Sequence, residues 1–107
     1  MTAAQVRRWL SARQPAPPAV LAERLEHVLS VCPSVRLSAC RSLPDALGAL
    51  GVYALDSLAE RPATSRDVAL DLLAADAFVT YAFEAAAESG ADSVAIVAAT
   101  LLAKVHA

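Results

Sequence analysis

Glycine is scarce, at three residues in a chain of 107. Gly48 and Gly51 fall inside an apolar helical pattern and Gly90 at a break. The Gly48-x-x-Gly51 pair therefore makes no phosphate-cradling loop, which needs irregular backbone. Histidine is rarer still. Glu23 and His27 stand one helical turn apart, but a di-iron bundle needs a Glu-x-x-His pair on each of two helices and two further carboxylates. The other histidine is His106, near the last residue. No metal and no cofactor is expected. Cys32 and Cys40 are spaced neither as a CxxC redox pair nor as half a zinc site, and are expected as small buried thiols. Nucleophile elbows and basic grooves are also lacking. No stretch reaches the ~18 uncharged apolar residues of a membrane span, because acids interrupt the best candidate. The opening MTAAQVRRWLSARQ has no apolar core of a secretory signal. The expectation is a cytoplasmic protein with no membrane and no nucleic-acid partner.

What is present is apolar and helix-forming. Hydrophobic residues make up 57% and charged residues 19%, which excludes disorder. Alanine, the best helix former, is the commonest residue. The net charge of −2 hides an asymmetry. Up to Leu43, six Arg face only Glu23 and Glu26; from Pro44 onward, nine acids face Arg61, Arg66 and Lys104. Such polarity attracts a charged partner or lets the two halves neutralise each other, within the fold or across a dimer.

Residues 1–107 are expected to form a single helical domain. Thr2 and Gln5 have capping-box spacing, so a first helix starts almost at once, with Val6, Trp9 and Leu10 on one face. Pro15 ends it. Pro17 and Pro18 lead into a second helix, where Leu21, Leu25, Val28, Leu29 and Cys32 form one stripe. Pro33 breaks it. Ser34 to Ser42 alternates like a strand yet has no partner strand, and reads as a short helix or a turn. Ser42 starts a further helix to about Glu60, in which close approach of a neighbour is expected at Gly48 and Gly51. Arg61-Pro62 closes it. Thr64 or Ser65 caps the longest helix, about Ser65 to Ser89, and Gly90 stops it. Asp92 or Ser93 then caps a last helix with Val94, Val97, Leu101 and Val105 on one face and Lys104 and His106 in its final turn. So short a connection at Gly90 predicts an antiparallel hairpin. The fold class is all-α: a small bundle of about five helices around that central helix.

Placed at 100° intervals from Asp67, the central helix shows two apolar arcs. Val68, Leu72, Ala75, Val79, Ala82, Phe83 and Ala86 fall between about 60° and 160°, and Leu70, Leu73, Ala74, Ala77, Phe78 and Tyr81 between about 240° and 20°. Asp67 and Asp71 separate them on one side and Asp76, Thr80 and Glu84 on the other. A helix apolar on two faces is central, or meets the core and a second subunit together. The line Asp76, Thr80, Glu84, Glu88 is expected as a solvated seam or as partners for Arg from the first half, and Asp76, if buried, needs an Arg or a hydroxyl partner. Leu72-Leu73-Ala74-Ala75-Asp76-Ala77-Phe78-Val79-Thr80-Tyr81-Ala82-Phe83-Glu84 resembles the A-x-L-A-G-D-A-L-L-T-x-A-F-E pattern of a helix in the all-α polyprenyl diphosphate synthases. The DDxxD motifs that bind magnesium and diphosphate in that family are absent, and the chain is too short for its fold. The resemblance therefore implies a buried alanine-rich helix and carries no function.

Three functions remain open. The first is a protein–protein interaction module that self-associates as a homodimer. The second is a bundle binding an apolar small molecule between helices, with Phe78, Tyr81 and Phe83 lining the site, Asp76 or Thr80 orienting a polar group, and Glu84 as a further candidate. The third is an enzyme using Asp76 or Glu84 with His27.

Overall fold

The computed structural model describes residues 1–62 and 64–106, without the His106 side chain, and every regular element among them is a helix. The elements are α1 (Ala3–Ser11), α2 (Ala19–Val31), α3 (Ser34–Ser38), α4 (Leu43–Asp56), α5 (Arg66–Ser89) and α6 (Ala91–His106). This is the expected small all-α bundle. The ambiguous stretch after Pro33 is helical at its start: Leu37 turns into the core while Val35 stays 71% exposed. The charge expected from His106 in the last turn lies outside the described residues.

The local signals act as their chemistry requires. Thr2 and Gln5 form a reciprocal capping box at α1. Ser42 caps α4 by accepting from the Asp45 N–H, with Pro44 in the first turn. Two boundaries and one cap differ from expectation. α4 ends at Asp56, before Glu60, where the Ser57 hydroxyl donates to the Ala54 carbonyl and competes with helix continuation. Ser65 occupies the N-cap position of α5 but makes no side-chain capping bond. α6 begins directly after Gly90, whose carbonyl accepts from the Ser93 N–H, so Asp92 falls inside the first turn. Gly90 itself has φ 122°, a conformation glycine adopts without penalty.

The most extensive packing joins α4 to α5, and the glycines explain how. A Cβ on Gly51 would come within 2.9 Å of the Val79 Cγ2 and 3.3 Å of the Ala75 carbonyl oxygen. Gly48 faces α6 instead, where a Cβ would meet only Leu101, at 3.3 Å. Phe78, Leu47, Leu50 and Val6 are the largest fully buried side chains, and α2 contributes Leu25, Val28, Leu29 and Cys32 to the same cluster. α6 turns at Gly90 and packs against α5 and the first turns of α4. Its expected inward stripe is incomplete. Val97 is buried and Val94 and Leu101 are half-buried, but Val105 is 63% exposed.

The central helix is the main correction. At 1.5 Å per residue its 24 residues make a rod of about 36 Å, so it runs the length of a molecule measuring 38 × 32 × 24 Å. Its buried residues are Val68, Asp71, Ala74, Ala75, Phe78, Ala82, Ala85 and Ala86. These form one arc, centred where the two expected apolar arcs were to be divided. Asp71 is inside that arc and only 6% exposed, whereas Asp76 faces solvent. The physical reason is alanine: five small side chains around Phe78 let α4 sit close, and the bulkier Leu72 and Leu73 are left 52% and 54% exposed.

Candidate functional site

Asp76, Thr80 and Glu84 occupy successive turns on the solvent side of α5, and none of them is buried. Tyr81 points elsewhere, half-buried beneath α1, with its ring 5.7 Å from that of Trp9 in an edge-to-face arrangement. Phe78 is wholly inside the core. These residues therefore do not converge on a cleft. Glu23 and His27 are both exposed on α2, and among the described residues no three His, Cys, Asp or Glu side chains come together as a metal site.

Charges from the two halves of the sequence meet at two places. Asp71 accepts from Arg24 of α2 at 3.3 Å and from Arg61 of the α4–α5 connector, while Asp67 takes the other Arg24 nitrogen at 3.0 Å. This fork ties α2 and the connector onto α5 and supplies the partners that a buried carboxylate needs. At the other end of α5, Glu88 accepts from Arg13 at 2.6 Å and from the Trp9 indole N–H at 3.4 Å. Arg13 also stacks over the Trp9 ring at 3.7 Å. The two donors hold the Glu88 carboxyl below its ordinary value of 4.5. Both clusters are satisfied internally. No buried side-chain nitrogen or oxygen among the described residues lacks a hydrogen-bond partner. Cys32 and Cys40 are free and buried, and burial pushes both thiols up.

Two features among the described residues bear on binding. The first is a cleft of about 450 Å³ where the first turns of α4 and the end of α5 meet α6. It is lined by Pro44, Gly48, Val97 and Leu101 together with Ser42, Ser89, Ser93 and Thr100. Lys104 and Asp45 stand across its end, 3.9 Å apart. The sequence does carry a trace of it: Ser93, Thr100 and Lys104 form one polar line along α6. The second is the outer face of α6. Ile96 and Leu102 are 65% and 59% exposed, with exposed Ala95, Ala99 and Ala103 between them. Among the described residues no helix is long and apolar enough to cross a membrane. Compared with known protein families, curated proteins and solved structures, the chain matches none.

Proposed function

We propose that the chain is a self-associating interaction module that pairs with a second copy of itself through the outer face of α6. The observation that carries this reading is the chemistry of that face. Counted from Ala91, Ala95, Ile96, Ala99, Leu102 and Ala103 lie within an arc from about 20° to 140° and carry no charge, and exposed Asp92 falls in the same arc at its N-terminal end. Alanines four residues apart let an identical helix approach closely, and the flanking Ile96 and Leu102 fill the space beside them. This self-complementarity suits a two-fold pair.

Sedimentation equilibrium over a wide concentration range tests the proposal. The wild-type chain is expected to show a monomer–dimer equilibrium. A Leu102→Glu variant loses the burial of a leucine twice by symmetry, about 3 kcal/mol or more. That corresponds to a dissociation constant about a hundredfold larger. A wild-type chain that stays monomeric at high micromolar concentration, or a variant that dimerises as well as wild type, contradicts the proposal.

A further inference from the structure

We infer that the cleft between the first turns of α4 and the polar line of α6 binds a neutral amphiphile, an apolar body bearing one hydroxyl or amide-like head. Its volume, about 450 Å³, lies within the range of small-molecule sites. The lining by Pro44, Gly48, Val97 and Leu101 is apolar and suits a hydrocarbon body. Gly48 matters to its shape, since a Cβ there would press on Leu101 at 3.3 Å.

The polar groups define the head. The side chains of Ser93 and Thr100 make no hydrogen bond among the described residues, so each hydroxyl is free to donate to or accept from a bound molecule. Ser42 accepts from the Asp45 N–H and keeps its own proton to donate. Charge argues against an ionic ligand. Lys104 and Asp45 face each other at 3.9 Å across the cleft end and cancel. An anion would gain Lys104 and meet Asp45, a cation the reverse. Hydroxyls that both donate and accept suit an uncharged head. This site is separate from the proposed self-association face, although Ile96 borders both.

The test is an amide NMR titration of the full chain with 1-octanol, with octanoate and octylammonium as charged counterparts. It is run in the Leu102→Glu background, so that dimerisation does not enter. Octanol is expected to produce saturable shifts at Gly48, Ser93, Val97, Thr100 and Leu101, binding tenfold or more tightly than either ion. Thr100→Val, nearly isosteric, should weaken binding about fivefold, and Ser93→Leu should fill the cleft and abolish it. Both positions are half-exposed, so the variants should fold, with the amide spectrum as the check. The inference is overturned by the absence of saturable shifts, by shifts confined to Ala95, Ala99 and Ala103, by equal binding of an ion, or by unchanged binding in both variants.

Discussion

Adding one methyl group at Gly51 tests the helix contact on which the bundle is built. In an isolated helix, Gly→Ala stabilises by about 1 kcal/mol. At Gly51 that gain meets a wall. The new Cβ would stand 2.9 Å from the Val79 Cγ2, 3.3 Å from the Ala75 carbonyl oxygen and 3.5 Å from the Phe78 Cβ. Val79 is β-branched and has one favoured rotamer in a helix, so it yields little. The Ala75 carbonyl is backbone and yields only if α4 and α5 separate. Overpacking of this kind costs about 2–3 kcal/mol, leaving a net loss of about 1–2 kcal/mol after the propensity gain. Gly48→Ala is the control, because its Cβ meets only the Leu101 side chain, at 3.3 and 3.9 Å. That variant should be neutral or more stable, by up to about 1 kcal/mol. Urea unfolding followed by circular dichroism reads both, and Gly51→Ala should lower the midpoint by about 1 M with an unchanged slope. Gly51→Ala as stable as wild type, or Gly48→Ala the more damaging of the two, would refute the reasoning.

Two further predictions concern the charge clusters. Asp71→Asn leaves Arg24 and Arg61 facing a neutral group and should cost about 2 kcal/mol, because both arginines remain partly hydrated. Asp76→Asn, on the solvent side, should stay within about 0.5 kcal/mol; equal costs at the two positions in urea unfolding would contradict the placement of Asp71 in the core. For Glu88 the folded-state pKa is depressed by Arg13 and Trp9. Its contribution is therefore full above the ordinary value of 4.5 and is lost as the pH falls through the lower folded value. Fluorescence of Trp9, the one tryptophan, should change over that acid range, and Glu88→Gln should remove the transition; an identical titration in the variant would show that Glu88 does not hold α1 down.

Much of the fold is legible from residues that act locally. Thr2 with Gln5, Ser42 with Asp45, the proline breaks and Gly90 mark helix limits through backbone chemistry within four residues of themselves. Gly48 and Gly51 announce close approach because nothing else compensates glycine inside a helix. The orientation of α5 is different. Hydrophobicity alone points Leu72 and Leu73 inward, yet the buried arc is built on alanine around Phe78, with Asp71 inside it. Which arc faces the core depends on how near α4 can come, and on Arg24 and Arg61 arriving from distant positions to neutralise Asp71. A helical wheel holds neither fact. Of the candidate residues, Asp76, Thr80 and Glu84 share the open solvent side of α5 while Tyr81 turns toward Trp9, so their nearness in sequence never becomes a cleft. The α4–α6 cleft leaves only a trace in the sequence because Ser42, Pro44, Asp45 and Gly48 reach it from a helix distant in the chain.

Cross-chain nuclear Overhauser effects, measured on a mixture of isotope-labelled and unlabelled chains, test the proposed self-association most directly. Contacts between methyl groups of Ile96, Leu102 and the alanines at 95, 99 and 103 of different chains are predicted. Their absence at concentrations where the chain is dimeric, or their appearance only at Leu72 and Leu73 of α5 or at Val31 and Val35, would contradict the assignment of α6 as the pairing face.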